Sequence, residues 1–361
     1  MWTAACADQG RPTPFLAVDH TRIERNIRDM ADRVAGYGGR STPHLKTHKC
    51  LEIARMQAAA GARTATVATV TEAHLAFDAG FESVLVAYPP VPDWRARALR
   101  ELTERGSVGV VCCRAEHVRS LERTGASFDV YWEVDSGAAR LGTPPGEATA
   151  AAIASAPFGD RLPLRGLMTF AGHAYGAHDA ASLAAVLDEQ DRALRESAAA
   201  LAAHGVGAPV RSVGVTPLAR LESGEADEYR YGNYVFYDAT QVALGGPGVD
   251  ECALVVVTTV VDVPAPDRFV VDAGSKSLPA ERMTSLTEGF GSVAGRPGLV
   301  LAKLYEEHGL GTASAPHGLR PGERIAVIPN HACTAVNLYH QYAVYDDSSF
   351  VETWPVHARR Q

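Results

Sequence analysis

Apolar and polar positions follow two different rhythms along this chain, and the change falls near residue 245. Before it, short β-branched runs alternate with longer Ala/Leu/Arg/Glu runs. Ser41–Lys46, Arg63–Val70, Ser83–Ala87, Ser107–Cys112, Phe128–Val134, Leu164–Phe170, Pro209–Val213 and Tyr231–Phe236 read as strands bounded by turn residues. Between them Glu72–Ala79, Trp94–Arg105, Ala115–Arg123 and Ala180–His204 gather their apolar residues on one face and read as helices. The last ends at His204-Gly205, a C-terminal stop. Eight alternations over about 200 residues predict a (β/α)8 TIM-like barrel rather than a doubly wound sheet.

After Gly245-Gly246-Pro247-Gly248 the long helical runs stop. Ala253–Val263, Phe269–Val271, Leu299–Tyr305, Glu323–Ile328 and Ala335–Val344 are β-rich and separated by Pro/Gly turns. The expected class is therefore α/β plus β. A barrel spans 19–245 and a mainly antiparallel β domain spans 246–361, joined by an N-terminal strand at 12–18.

Composition narrows the function. With 34 Lys and Arg against 42 Asp and Glu, the net charge is −8. A nucleic-acid or anionic-membrane surface needs clustered basic residues, so neither partner is expected. No apolar run approaches the roughly 20 residues that span a bilayer. The N-terminus lacks a basic segment followed by an apolar core, so no secretory signal is read. Six cysteines in 361 residues do not form a disulfide framework. These features place the chain in the cytoplasm, with reduced thiols.

Two segments far apart carry the chemistry. Pro43-His44-Leu45-Lys46-Thr47-His48-Lys49 puts Lys46 at the end of the first barrel strand, on the face where barrel active sites sit. Neighbouring positive charge and burial both lower an amine's pKa, and a neutral amine can form an imine with an aldehyde cofactor. The competing reading is a surface lysine in a salt bridge. Pro329-Asn330-His331-Ala332-Cys333 puts an imidazole and a thiol on one side of an extended segment. Such a pair suits Zn2+ in an open catalytic site, with Asn337 and His340 as outer groups.

Other segments lie at expected strand ends. Glu133-Val134-Asp135-Ser136-Gly137-Ala138-Ala139-Arg140 could bind an anionic oxygen, or could be an ordinary turn. Gly214, Thr216 and Gly232 fall at the strands where barrels recurrently cradle phosphate on loop amides. His173 and Tyr175 follow the sixth strand and either touch cofactor or substrate or are structural. There is no Gly-x-Ser-x-Gly elbow, no Walker loop and no Gly-x-Gly-x-x-Gly after the first strand.

From Thr13 to about His357 the chain resembles the fold-type III pyridoxal-phosphate enzymes, in the D-threonine aldolase and D-serine dehydratase branch with its alanine racemase-like barrel. The resemblance is carried by the lysine and His-x-Cys segments, by Glu-Val-Asp-Ser-Gly-Ala-Ala-Arg-Leu-Gly, by Gly-Asn-Tyr-Val-Phe-Tyr-Asp and by Val-Asp-Ala-Gly-Ser-Lys. It implies pyridoxal 5'-phosphate held as an imine by Lys46. Arg140 would reach the phenolic oxygen, and Gly214, Thr216, Gly232 and Asn233 the phosphate, with Tyr175, Arg230 and Tyr234 as further cofactor contacts. It implies a divalent metal on His331 and Cys333, zinc first, with manganese or magnesium as alternatives. It implies a homodimer acting on a small D-amino acid. The implied reaction is dehydration of D-serine or D-threonine to a 2-oxo acid and ammonia, with Lys46 taking the α-proton. The alternatives are aldolase cleavage to glycine and an aldehyde, with His44 or His173 as base, an amino acid racemase, and a non-catalytic pyridoxal-phosphate-binding protein.

Overall fold

A computed structural model describes residues 2–207, 209–222, 224–346 and 349–358. By contacts it divides into two compact units. One comprises Asp29–Ala174 and Ala181–Gly232, and the other the described parts of Met1–Arg28, Tyr175–Ala180 and Asn233–Arg359. The sequence rhythm changes near 245, whereas the units part at Gly232/Asn233.

The first strand, β1 (Phe15–Asp19), belongs to the second unit. The barrel unit holds β2 (Arg40–Ser41), β3 (Thr64–Val67), β4 (Ser83–Val86), β5 (Ser107–Cys112), β6 (Asp129–Glu133), β7 (Leu164–Met168), β8 (Val210–Val213) and β9 (Glu228–Tyr229). They form one parallel sheet in the order β2-β9-β8-β7-β6-β5-β4-β3. A parallel bridge between His44 and Thr66 joins its two edges and closes the barrel. Inside, Leu85, Val111, Tyr131 and Met168 form a buried cluster. The Tyr131 ring fits because β5 and β7 present Gly109 and Gly166, where an added Cβ would stand 3.2 Å and 3.0 Å from it. Its hydroxyl reaches across to Glu228 Oε1 at 3.2 Å.

Outside the sheet, helix Ala180–Ala203 buries Leu183, Val186, Leu187, Gln190, Ala193, Leu194, Ser197, Ala200 and Leu201. This is the i, i+3, i+4, i+7 stripe expected of a helix lying on a sheet.

The eighth strand differs from the sequence expectation. Tyr231–Phe236 is not a strand; β9 ends at Tyr229, and Asn233–Val235 is a 3-10 turn. Its partner β2 runs out first. Pro43 donates no hydrogen bond and Leu45–Thr47 curls into a 3-10 turn, so past β2 the ladder is carried only by isolated bonds among the described residues, Thr42 N to Tyr229 O and His44 N to Tyr231 O, each at 2.9 Å.

The second unit contains β10 (Leu254–Ala265), β11 (Arg268–Val271), β12 (Gly291–Val293), β13 (Leu299–Leu304), β14 (Gly309–Ala313), β15 (Arg324–Pro329), β16 (Gln341–Tyr345) and β17 (Phe350–Pro355). Strands β10, β11, β14, β13, β12 and β15 close into a six-stranded antiparallel barrel. The sheet extends from β10 through β1 and β16 to β17. The central run Leu254–Thr258 is wholly buried, and β1 is buried along its length.

A second expectation is corrected here. Ala335–Val344 is not one strand: Ala332–Asn337 forms a helix, and only Gln341–Tyr345 is extended. Alanines at 332 and 335 favour the helical turn. His331 is its extended N-cap residue, with φ −137° and ψ 110°. Among the described residues, no helix is long and apolar enough to cross a membrane.

Candidate functional site

In the barrel unit the candidate residues gather beyond the C-terminal ends of the strands. His44 caps the 3-10 turn Leu45–Thr47, and its Nδ1 accepts the Lys46 backbone N–H at 3.4 Å. This fixes the carbon from which the Lys46 side chain leaves. Lys46 Nζ lies over the Phe170 ring, 5.7 Å from its centroid, and the Arg140 guanidinium lies over the same ring at 4.1 Å. Phe170 thus keeps two cations close to one aromatic surface. Its ring takes the space beside Gly172, where an added Cβ would meet it at 2.2 Å.

The second lysine of the motif is committed elsewhere. Lys49 Nζ pairs with buried Glu72 Oε1 at 3.8 Å. Glu72 is itself held by the Ala68 N–H at 2.7 Å, at the start of a helix capped by Thr69. The salt-bridge reading therefore describes Lys49.

Arg140 also pairs with buried Glu133, Nη2 to Oε1 at 3.5 Å. Burial raises the Glu133 carboxyl, while Arg140 and Arg230 pull it back. Arg230 is buried, donating to Ser212 Oγ at 2.6 Å and Thr169 O at 2.7 Å. Burial lowers its guanidinium only to about 10, so it stays charged at neutral pH. Burial and the charges of Lys46, Arg230 and Arg140 push His44 well below its ordinary value, leaving it a neutral imidazole. His173 Nε2 contacts Glu189 Oε2 at 3.1 Å, and its Nδ1 is buried with no hydrogen-bond partner among the described residues.

Gly214, Thr216 and Gly232 follow β8 and β9. Packing already requires both glycines: a Cβ on Gly214 would stand 2.8 Å from Arg230 Cβ, and one on Gly232 2.7 Å from Thr47 Oγ1. Among the described residues, the backbone amides of Gly214, Val215, Thr216 and Gly232 have no acceptor, although all four residues are buried. A row of unsatisfied N–H groups at strand ends is the donor set an anionic phosphate takes. With an amine, a guanidinium and a buried imidazole nitrogen nearby, these residues fit pyridoxal phosphate.

Tyr175, Asn233 and Tyr234, expected as cofactor contacts, are built into the second unit with His331 and Cys333. The His331 side chain is within hydrogen-bonding reach of Cys333, and its Nδ1 contacts Glu281 Oε1, which also accepts from Thr334 Oγ1. Burial alone would lower the imidazole, but Cys333, Glu281 and Asp238 outweigh it and hold it well above its ordinary value. An imidazole that attracts a proton this strongly, between a thiol and carboxylates, attracts a cation for the same electrostatic reason. Its Nδ1 is taken by a carboxylate, which leaves Nε2 as the ligating nitrogen, a recurrent arrangement at metal-binding histidines. The pair fits a thiophilic cation.

Asp238 is fully buried, accepting from Asn233 Nδ2 at 2.6 Å and Ala332 N at 2.9 Å. It pins the turn between His331 and Cys333 to Asn233, whose Nδ2 also reaches the Cys333 sulfur at 3.9 Å. The Tyr175 ring lies 6.3 Å from the His331 ring, and its hydroxyl accepts from Gln241 Nε2 at 3.4 Å. Burial, then Cys333 and Asp238, hold its phenol well above its ordinary value, so it is a neutral hydrogen-bonding group. Tyr234 is buried, while Asn337 and His340 are exposed. Among the described residues, no group of three His, Cys, Asp or Glu side chains is placed to hold a metal.

Sequence reasoning missed Phe170, Asp238 and Glu281. Asp238 left a trace, an acid closing the apolar run Tyr234–Tyr237. Glu281 is fifty residues from its partner, and no local pattern marks it.

Residues 18–240 match the family described as "Alanine racemase, N-terminal domain", and residues 253–345 the family described as "Putative serine dehydratase domain". The D-threo-3-hydroxyaspartate dehydratase of Delftia sp. (strain HT23) is 32% identical over 95% of this chain and 96% of its own length. The crystal structure of D-threonine aldolase from Filomicrobium marinum is similar with a TM-score of 0.87 at 29% identity, covering 96% of each chain. A cysteine-to-alanine mutant of D-threo-3-hydroxyaspartate dehydratase, in the metal-free form, is similar with a TM-score of 0.87 at 28% identity, covering 98% of each chain.

Proposed function

The chain belongs to the fold-type III pyridoxal-phosphate enzymes, in the group that joins an alanine racemase N-terminal domain to a serine dehydratase domain, and we propose that it is a divalent-metal-dependent lyase of D-β-hydroxy-α-amino acids, acting as a dehydratase. The observation that carries this reading is the His331 imidazole, anchored at Nδ1 by Glu281 and standing beside the Cys333 thiol. Racemisation moves only the α-proton and has no use for a soft cation, whereas a β-hydroxyl leaving as hydroxide needs a Lewis acid. The cation we favour is zinc, because an imidazole and a thiolate suit it better than they suit manganese or magnesium.

When bound, pyridoxal phosphate supplies an electron sink for charge at the substrate α-carbon, and the divalent cation supplies Lewis acidity at the β-hydroxyl. The chain's own residues do the rest. Lys46 would anchor the cofactor and, as a free amine, would take the α-proton at Nζ. Arg140, held by Glu133 and Phe170, would offer its positive charge to the phenolic oxygen. The amides of Gly214, Thr216 and Gly232 would hold the phosphate, with Asn233 as a further candidate. Arg230, which stays charged at neutral pH, would be a further contact to the cofactor. His44, kept neutral, can accept a proton, as can His173 at its unpartnered Nδ1. Tyr175 and Tyr234 would be further cofactor contacts.

Incubating the metal-loaded protein with D-serine, D-threonine and D-threo-3-hydroxyaspartate tests the reading. A 2-oxo acid and ammonia are expected. Glycine plus an aldehyde would establish an aldolase instead, and D-to-L interconversion that survives Cys333→Ala would establish a racemase. We further propose a homodimer, which the family resemblance supports, and a cytoplasmic location, which the six free thiols support.

A further inference from the structure

We propose that Gln241 is a positioning residue, turning the Tyr175 hydroxyl so that its hydrogen is kept for the β-oxygen of a substrate arriving at the His331 and Cys333 pair. The inference rests on the lyase reading and adds to it a donor and the residue that aims it. Gln241, Tyr175, His331 and Cys333 all lie in the second unit.

Gln241 is fixed on both sides of its backbone. It belongs to the short helix Ala239–Ala243, where its N–H donates to the N-cap carboxylate of Asp238 at 3.0 Å and its carbonyl accepts from Gly246 N at 3.1 Å. Asp238 also takes the Ala332 N–H at 2.9 Å, so one buried carboxylate sets both Gln241 and the turn between His331 and Cys333. Gln241 is 1% exposed, and its Nε2 donates to the Tyr175 hydroxyl oxygen at 3.4 Å. A buried amide costs free energy unless it is hydrogen-bonded, and filling space alone would call for an apolar side chain.

The consequence is one of direction. A phenol oxygen that accepts from Gln241 must aim its single hydrogen elsewhere. Among the described residues that hydrogen has no acceptor. The Tyr175 ring stands 6.3 Å from the His331 ring, and Cys333, Asp238 and Glu281 are the charges that act on its hydroxyl. The hydrogen is thus left for a group that arrives beside the pair. As the substrate Cβ–O bond breaks, its electron pair stays on oxygen. A hydrogen bond from Tyr175 stabilises that charge, and the proton remains on the phenol. The α-proton is the one Lys46 would take, so hydroxide and that proton account for the water lost.

Two measurements on the full-length holoenzyme test this role. The tyrosine Fermi doublet, taken as the ultraviolet Raman difference between each protein and its Tyr175→Phe counterpart, reports whether a phenol accepts or donates. It should show an accepting phenol in the wild type and a donating one in Gln241→Glu, whose carboxylate can only accept. A wild-type phenol that only donates, or the same signature in both proteins, overturns the proposal. Turnover is then compared for D-serine, whose leaving hydroxide needs a donor, and β-chloro-D-alanine, whose leaving chloride does not. The ratio of the two kcat values should fall roughly tenfold in Gln241→Leu and further in Gln241→Glu. An unchanged ratio, with both substrates slowed alike, overturns the proposal alone, because a merely structural glutamine would act on both. A wild type that releases 2-oxo acid from neither substrate overturns the lyase reading itself, and this inference with it.

Discussion

Glu281 offers the sharpest perturbation of the cation site, because it touches the imidazole without being one of the two expected ligands. Its Oε1 meets His331 Nδ1 and also accepts from Thr334 Oγ1. The first contact keeps the proton on Nδ1 and presents Nε2 to the cation. Removing such a partner commonly lowers metal affinity 10–100-fold, or about 1.4–2.7 kcal/mol. Glu281→Ala should fall in that range, since it loses both the tautomer lock and a negative charge. Glu281→Gln should fall between Ala and wild type, because an amide oxygen still accepts from Nδ1. The assay is zinc competition against a chromophoric chelator at fixed pH, with circular dichroism as the check on folding. Equal affinity in all three proteins would refute the assignment of Glu281 and, with it, of Nε2 as the ligating nitrogen.

Gly232→Ala places a Cβ 2.7 Å from Thr47 Oγ1 and 2.9 Å from the His44 carbonyl oxygen. The turn carrying Lys46 must shift, at a cost of about 1–3 kcal/mol, and thermal denaturation with and without added pyridoxal phosphate should show lower stability and weaker cofactor retention. Buried Glu222 should oppose folding as pH rises. Burial pushes its carboxyl from the ordinary 4.5 up to about 7, so the stability present below pH 4.5 is lost as pH climbs through 7. Glu222→Gln should then match wild type in urea denaturation at pH 4.5 and exceed it at pH 8 by on the order of 3 kcal/mol. Cys333→Ala should abolish ammonia release from D-serine while leaving the cofactor's absorbance band in place.

The α/β-plus-β architecture was legible because periodicity survives burial. Each barrel strand keeps an apolar run, and helix Ala180–Ala203 keeps its stripe. Two elements were misread because a local run does not reveal its partner. Tyr231–Phe236 is apolar enough for a strand, but β2 ends before it can pair, and the chain turns. Ala335–Val344 hides a helix in its first half, where alanine outweighs the β-branched neighbours. Within the candidate site, the lysine and His-x-Cys segments stand out because reactive side chains cluster in a few residues. The groups that tune them do not. Glu72 settles Lys49, Phe170 gathers Lys46 and Arg140, and Glu281 orients His331. Each acts through a contact that only the folded chain creates.

The account's central claim is that the amine on the turn after β2 carries the cofactor. Borohydride reduction of the yellow holoenzyme, followed by proteolysis and mass spectrometry of the pyridoxyl peptide, tests it at a single atom. The label should sit on Lys46 Nζ and disappear in Lys46→Ala. A label on Lys49, whose ammonium is engaged by Glu72, or no covalent label at all, would contradict it.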